Sequence, residues 1–266
     1  MSLLLANLYL KYNIYQITNS GALTDALGDV YEDFVAAIFK DLLTLKSWPI
    51  NSLEYQIADQ LLKYLNLNIS QISTISSSRK NIPLTLNAGT PKTDVYLNIT
   101  LVDGSTRLVP LNVKQSTVSK VSFAEYDVAT IVSDLSITDP VLISLLEKHQ
   151  ADASAKNFTP AERVYLRTNL APHIRNLVRW CITLNALPTY QDIRYPEYVI
   201  RFDLHHPKNS GPLGNTFKAV NVYDIEGYID KIMLNLKGQP RSGGFGTGLS
   251  WTYATGSKGK KIQFKG

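Results

Sequence analysis

The chain has 266 residues, of which 44% are apolar, so it can form one large domain or two small ones, and no apolar run reaches the roughly 18 residues of a membrane-spanning helix. Its single cysteine, Cys181, excludes a disulfide framework and a zinc–cysteine cluster. The formal net charge is +5, and Lys231–Gly266 holds seven of the 27 Lys/Arg but none of the 22 Asp/Glu, which leaves the rest of the chain slightly acidic.

The basic C-terminal stretch indicates a nucleic-acid partner, because clustered Lys and Arg are the expected footprint of a phosphate backbone. A solvated basic tail is the alternative interpretation. The N-terminal sequence MSLLLANLYLKY lacks the basic start and the small-residue cleavage site of a signal peptide. We therefore expect a cytoplasmic protein with no membrane partner.

Apolar side chains recur at three- and four-residue spacings over residues 24–45, which predicts a helix with Thr24 as a possible N-cap. Glu32 lies at the edge of this apolar stripe, where a carboxylate is more often a solvated flank than a ligand. A second, shorter helix is predicted over residues 53–65. The polar run Ser70–Lys80 predicts a loop or an irregular strand, whose hydroxyl groups could contact phosphates.

The stretch Thr93–Lys114 predicts two short strands joined by a turn. Asp94 opens the first strand, and Asn112 and Lys114 close the second. A carboxylate together with a neutral oxygen can hold a hard cation such as Mg²⁺. A nearby lysine can orient a water molecule and stabilise negative charge on a phosphate. We interpret this hairpin as a metal-dependent nuclease site.

The register of the hairpin tests this interpretation. A four-residue turn places Asp94 opposite Gln115, so that Asp94 and Lys114 face opposite sides of the sheet. A shared site requires a one-residue shift, through an odd-length loop or a bulge. Pro110 cannot donate a ladder hydrogen bond, which makes it a candidate position for the break. We therefore predict an irregularity between residues 103 and 113.

The second half of the chain alternates between helical and strand patterns. SFAE at 122–125 has the pattern of a capping box, which predicts a helix over 122–135. Three further helices are predicted: from Asp139-Pro140 to near Lys148, from Thr159-Pro160 to about Leu184, and over 225–236. Pro172 should interrupt the second of them. Strands are predicted over 197–205 and 218–224.

Asp203, His205 and His206 could suggest metal ligands. Neighbouring histidines on a strand point to opposite faces, however, and no third group follows at ligand spacing. Surface histidines are the better interpretation. The chain also contains no P-loop, Rossmann glycine pattern, nucleophile elbow or internal repeat.

The C-terminal stretch predicts a two-stranded ribbon over residues 249–255 and 261–265, because aromatic and polar side chains alternate along both segments. Such a ribbon can enter the major groove of DNA. There, glutamine and lysine can read purine edges and threonine can approach bases, which makes Thr252, Gln263 and Lys265 candidates for DNA contact.

Several long segments resemble one known family. They are TPKTD (90–94), STRLVPLNVKQS (105–116), VSFAEYDV (121–128), RWCITL (179–184), GFGTGLSWTYATGSKGKK (244–261) and QFKG (263–266). These blocks resemble the CCGG-specific MspI family of Type II restriction endonucleases, within the PD-(D/E)xK nuclease superfamily, and the resemblance extends over most of the chain. It implies an α/β fold with a mixed central sheet flanked by helices and a C-terminal basic β-ribbon. We expect one endonuclease domain over residues 1–266, with 239–266 contacting DNA.

The resemblance also implies roles for individual residues. Asp94 and Asn112 would hold the metal, with Asn112 in place of the acid usual in the superfamily, and Lys114 would position the attacking water. Glu32 is implied as a further catalytic acid. The residues implied to lie near DNA, including lysines of the basic stretch, are Ser122, Glu125, Asp127, Thr252, Tyr253, Thr255, Lys258, Lys261, Gln263 and Lys265.

The implied activity is Mg²⁺-dependent hydrolysis of double-stranded DNA at a short palindrome, CCGG, leaving 5′-phosphate and 3′-hydroxyl ends. The implied setting is the cytoplasm of a bacterium or archaeon, where the enzyme acts as a monomer beside a cognate DNA methyltransferase for the same site. Two alternatives remain from the residues. One is a DNA-binding protein without catalysis, favoured by the neutral Asn112. The other is a repair or recombination nuclease of the same fold.

Overall fold

The computed structural model describes residues 2–85, 89–118, 120–152, 154–185, 192–205, 217–254 and 256–266. The chain divides into two compact units, the first comprising Met1–Ser119 and Tyr190–Ile225 and the second Lys120–Thr189 and Glu226–Gly266. In these described ranges no helix combines the length and apolar character needed to cross a membrane.

The α-helices, in chain order, are α1 (Leu3–Lys11), α2 (Ser20–Ile38), α3 (Leu42–Ser47), α4 (Leu53–Tyr64), α5 (Val128–Asp134), α6 (Pro140–Asp152), α7 (Pro160–Leu170), α8 (Ile174–Thr183) and α9 (Ile225–Met233). The strands are β1 (Ile72–Ser78), β2 (Val95–Leu101), β3 (Thr106–Ser116), β4 (Ser122–Tyr126), β5 (Tyr198–Leu204), β6 (Phe217–Asp224), β7 (Ser250–Thr252) and β8 (Ile262–Lys265).

The first unit is built on a five-stranded sheet in the order β1-β2-β3-β5-β6. The β3–β5 pair is parallel and the other pairs are antiparallel, so the sheet is mixed. Helix α2 buries its apolar stripe against this sheet, and the Tyr31 ring lies 4.4 Å from the ring of Phe202 on β5. The predicted α/β class with a mixed central sheet is confirmed.

The long N-terminal helix is displaced from its predicted bounds of 24–45. It begins four residues earlier, because Asn19 caps it by accepting hydrogen bonds from the backbone N–H groups of Gly21 and Ala22. The predicted N-cap, Thr24, lies inside the helix and donates its hydroxyl to the Ser20 carbonyl. The helix ends at Ile38, and Asp41 starts α3 by accepting from the Thr44 N–H. The stretch is therefore two helices.

The β2–β3 ladder runs from Val95 opposite Leu111 to Thr100 opposite Thr106 without a bulge. An odd shift of register arises in the loop: the Leu101 N–H donates to the Ser105 carbonyl, which leaves a three-residue loop. The shift is three residues instead of the predicted one, since Asp94 comes to lie opposite Asn112 and not Gln115. Gly104 in that loop has a φ of 84°, a conformation that favours glycine. The proposed break at Pro110 is wrong, since this proline pairs with Tyr96 in the regular ladder.

The second unit contains α5–α8, most of α9 and a three-stranded sheet in the order β4-β8-β7. The predicted C-terminal ribbon is confirmed as the antiparallel β7–β8 pair, and β4 adds a strand that the sequence analysis did not predict. Phe264 of β8 is fully buried, and its ring lies 5.0 Å from that of Trp251 on β7.

The helix predicted over 122–135 is wrong in its first half. Residues Ser122–Tyr126 form β4, and Ser122 pairs with Lys265 of β8, so Ser122 and Glu125 do not form a capping box. Asp127 is the N-cap of the shorter helix α5 and accepts from the Thr130 N–H at 2.8 Å. Long-range pairing with the C-terminus has overridden a local helix signal.

The other helix predictions hold with small changes. Thr159 and Glu162 form a capping box at the predicted start of α7, and a 3-10 turn at Ala171–His173 interrupts the helix at Pro172. Helix α6 extends beyond its predicted end at Lys148. Helix α9 ends at Met233 instead of 236, because Leu234 pairs with Pro240 in an isolated bridge.

We predict that Asp127→Ala lowers the free energy of unfolding by about 1 kcal/mol, the usual cost of losing an N-cap. Ser122→Ala is the matched control and should leave the unfolding free energy nearly unchanged, because Ser122 is exposed on β4. Urea unfolding followed by circular dichroism measures both variants. Equal destabilisation by the two substitutions would contradict the assignment of Asp127 as the cap.

Candidate active site

Asp94 lies immediately before β2 and is held against β3 by its backbone and its side chain. The Asp94 N–H donates to the Leu111 carbonyl at 2.9 Å, and the Val113 N–H donates to Asp94 Oδ2 at 2.7 Å. Continuing the ladder by one step places Asp94 opposite Asn112. The carboxylate therefore has a defined position before any ligand binds.

Lys114 approaches the same carboxylate. Its Nζ lies 3.7 Å from Asp94 Oδ2, and both side chains are 20% exposed. An ammonium at this distance, in a partly desolvated site, can stabilise negative charge beside the carboxylate. The odd-length hairpin loop thus brings Asp94 and Lys114 together on one side of the sheet.

Asn112 lies between Asp94 and Lys114 in the sequence of the hairpin, and its side chain is completely buried. Its Nδ2 donates to the Lys92 carbonyl, whereas its Oδ1 is buried and has no hydrogen-bond partner among the described residues. An unpaired buried amide oxygen is costly unless a ligand satisfies it. Together with the Asp94 carboxylate, this oxygen belongs to the donor type that hard divalent cations prefer. The residues present therefore fit a divalent metal.

Glu32, on α2, lies in the electrostatic field of this site. Burial, together with the Asp94 charge, raises the pKa of its carboxyl to about 7, although Arg79 and Lys114 act in the opposite direction. The Glu32 carboxylate accepts a hydrogen bond from Arg79. The Glu32 carboxylate is thus mostly buried and ion-paired with Arg79, unlike a solvated flank.

Sequence analysis missed Arg79, which lay in a polar run considered only for its hydroxyl groups. A signal was present. Asp29, Glu32 and Asp33 occupy positions i, i+3 and i+4, which share one face of a helix, and three neighbouring carboxylates require a cation. Nothing in the sequence placed that cation at the end of β1.

The predicted DNA contacts lie on the second unit, around its three-stranded sheet. In the central strand, Lys265 pairs with Ser122 on one side and with Ser250 on the other. Gln263 pairs with Glu125 and Thr252 in the same way. The sheet thus places two polar rows beside each other.

Gln263 Oε1 is buried without a hydrogen-bond partner in the described part of the chain. Tyr253 is 41% exposed, and Lys258 Nζ lies 5.6 Å from the centre of its ring. The hydrogen bond from the Thr130 backbone lowers the pKa of the Asp127 carboxyl, and Lys261 contributes to the same shift. Thr255 lies outside the described residues.

The surface interpretation of the histidine pair holds where the structure describes it. His205 is exposed, and Asp203 accepts from Arg201 Nε at 2.9 Å, so this carboxylate already has a cationic partner. His206 lies outside the described residues. The described ranges contain no group of three or more His, Cys, Asp or Glu side chains that could hold a metal.

Comparison with known proteins matches this chain to one family. The model of the family "Restriction endonuclease MspI" matches residues 13–266. The chain belongs to the MspI restriction endonuclease family. It is 42% identical to the Type II restriction enzyme MspI of a Moraxella species, over 99% of this chain and 98% of that protein. It is 26% identical to the Type II restriction enzyme BsuFI of Bacillus subtilis, over 92% of this chain and 60% of that protein.

A solved structure supports the same assignment. The crystal structure of the MspI restriction endonuclease in complex with its cognate DNA matches with a TM-score of 0.87 and 40% identity, covering 100% of this chain and 99% of that one. Membership of this family makes the chain a Type II restriction endonuclease and disfavours the alternative of a protein without catalysis. Restriction endonucleases generally need a divalent metal, which agrees with the donor set of Asp94 and Asn112.

We predict that Asn112→Asp lowers the free energy of unfolding in EDTA by about 1–3 kcal/mol, although it restores the acid usual in the superfamily. A carboxylate cannot donate to the Lys92 carbonyl, and it would add a buried negative charge opposite Asp94. Chemical unfolding in EDTA measures the effect. The exposed substitution Asn98→Asp on β2 is the control, and an Asn112→Asp protein as stable as the wild type would contradict the dual role of the amide.

Proposed function

We propose that the protein hydrolyses double-stranded DNA at the palindrome CCGG with Mg²⁺, leaving 5′-phosphate and 3′-hydroxyl ends. The observation that carries this proposal is the constellation on the hairpin: the fixed Asp94 carboxylate, the unpaired Asn112 Oδ1, and Lys114 Nζ at 3.7 Å from Asp94. The resemblance to an enzyme crystallised with its cognate DNA supports a DNA substrate.

Asp94 and Asn112 would hold the metal in this mechanism. When bound, a divalent cation would supply Lewis-acid chemistry at the scissile phosphate. Lys114 orients the attacking water and stabilises the negative charge that develops on the scissile phosphate. The water oxygen forms a bond to phosphorus and loses a proton, while the opposite phosphorus–oxygen bond breaks and the 3′ oxygen gains a proton.

Glu32 completes the acidic side of the site. Asn112 is neutral, so Asp94 is the carboxylate that the hairpin itself contributes. The raised pKa of Glu32 arises partly from the Asp94 charge, which supports a position near that carboxylate. We assign Glu32 as the second acid of the metal site, contributed by α2 instead of by β3.

The β4-β8-β7 sheet is the proposed recognition surface. Lysine donates to guanine O6 and N7, and a carboxylate accepts from cytosine N4, so Lys265 and Glu125 are suited to C·G pairs. Gln263 stands between Glu125 and Thr252, with an oxygen that still needs a donor. The flanking contacts are assigned to Ser122, Asp127, Tyr253, Thr255, Lys258 and Lys261. This chemistry agrees with a recognition sequence made only of C·G pairs.

The biological setting follows from the activity. A nuclease specific for a short palindrome would cut the DNA of its own cell, so a cognate methyltransferase acting on the same site is the proposed partner. We further propose that the enzyme acts as a monomer in a bacterial or archaeal cytoplasm, as one domain whose residues 239–266 contact DNA.

We predict that Lys114→Ala lowers the single-turnover rate of CCGG cleavage by about 10²–10³-fold, because it removes the group that stabilises the transition-state charge. Affinity for a CCGG duplex in EDTA should change little, since recognition is assigned to the second unit. Quench-flow cleavage and fluorescence anisotropy measure the two quantities. Lys63→Ala, which removes an exposed lysine paired with Asp59, is the control. Equal losses of cleavage and binding in Lys114→Ala would contradict the catalytic assignment.

A further inference from the structure

Arg79 follows the end of β1 and binds three carboxylates on one face of α2. Its guanidinium donates to Asp29 Oδ1 at 2.7 Å, to Asp33 Oδ1 at 2.5 Å and to a carboxylate oxygen of Glu32. The Arg79 side chain is only 23% exposed. A partly desolvated guanidinium shared by three acids is a strong and directional contact.

The three carboxylates differ in the hydrogen-bond partners that they have besides Arg79. Asp33 also accepts from Lys11 Nζ and from the Tyr12 hydroxyl, each at 2.7 Å. For Glu32, Arg79 is the hydrogen-bond partner among the described residues. Removing Arg79 would therefore leave Asp33 anchored but release Glu32.

Glu32 needs such an anchor because burial and a neighbouring carboxylate disfavour its negatively charged form. Its side chain is mostly buried, and the Asp94 carboxylate repels it. Repulsion between two partly buried acids favours rotation of the glutamate away from the site. The positive charge of the guanidinium, in contact with Glu32, offsets this repulsion.

We infer that Arg79 is a positioning residue that holds the Glu32 carboxylate beside Asp94, so that the second acid of the metal site is in place before the metal binds. The inference rests on the proposed role of Glu32 as a site acid. It explains how a site with a neutral Asn112 keeps two acids close together without a bound cation. In this role Arg79 acts through Glu32, and no direct part in the reaction is assigned to it.

The planar guanidinium is required for this role. Three carboxylates at i, i+3 and i+4 on a helix surround the fork of an arginine, whereas a lysine ammonium is a point charge on a flexible chain. Arg79→Lys therefore keeps the charge but loses the geometry. Partners of metal-site residues typically contribute 10- to 100-fold to metal affinity or activity.

The test measures Mn²⁺ binding to the full-length protein by electron paramagnetic resonance, and the Mg²⁺ concentration for half-maximal single-turnover cleavage of a CCGG duplex. We expect Arg79→Gln to weaken metal binding about 10- to 100-fold and Arg79→Lys about 10-fold. Arg79→Gln combined with Glu32→Gln should bind metal no more weakly than Glu32→Gln alone. Melting temperatures identify any variant that fails to fold, in which case Arg79→Lys decides the result.

Lys11→Gln is the matched control, because it removes a cation from the same cluster but contacts Asp33 and not Glu32. It should leave metal binding within about twofold of the wild type. Any of three results would overturn the inference. These are unchanged metal binding in Arg79→Lys, additive losses of metal affinity in the double variant, and a loss of metal affinity in Lys11→Gln equal to that in Arg79→Gln. A wild-type protein that neither binds Mn²⁺ nor cuts DNA would instead overturn the proposed function, which separates the two failures.

Discussion

Three hydrogen bonds tie the segment before β2 to β3, and the candidate active site depends on them. The Asp94 N–H binds the Leu111 carbonyl, the Val113 N–H binds the Asp94 carboxylate, and Asn112 Nδ2 binds the Lys92 carbonyl. Together they fix the Asp94 carboxylate, which lies 3.7 Å from the Lys114 ammonium, and the Asn112 amide without help from a ligand. Preorganised polar groups of this kind need no rearrangement when charge develops at the substrate.

The same bonds give a physical reason for an asparagine at a position where the superfamily usually has an acid. The nitrogen of the amide is committed to the Lys92 carbonyl, and only its oxygen remains for a ligand. A carboxylate could not fulfil the first role. We propose that Glu32 on α2, with Arg79 as its counter-ion, supplies the negative charge that Asn112 lacks.

The sequence predicted those features in which local signals and long-range pairing agree. The alternation around Asp94, Asn112 and Lys114 was sufficient to propose the site, and the need for a one-residue shift was derived from side-chain parity alone. Of its two proposed sources, the odd-length loop is correct and the break at Pro110 is wrong, because the turn at Gly104 decides the register. SFAE at 122–125 was assigned to a helix because its partner β8 lies more than 130 residues later. Arg79 was missed for the same reason, since its three acids are on a distant helix.

The activity proposed for this chain is cleavage of DNA at one short palindrome with a divalent metal. The most direct test digests unmethylated plasmid DNA with Mg²⁺, with and without EDTA, and then sequences the fragment ends. We predict discrete fragments that all end within CCGG, carry 5′-phosphates and are absent in EDTA. Cleavage at random sequences, cleavage that persists in EDTA, or tight salt-sensitive binding without any cleavage would contradict it.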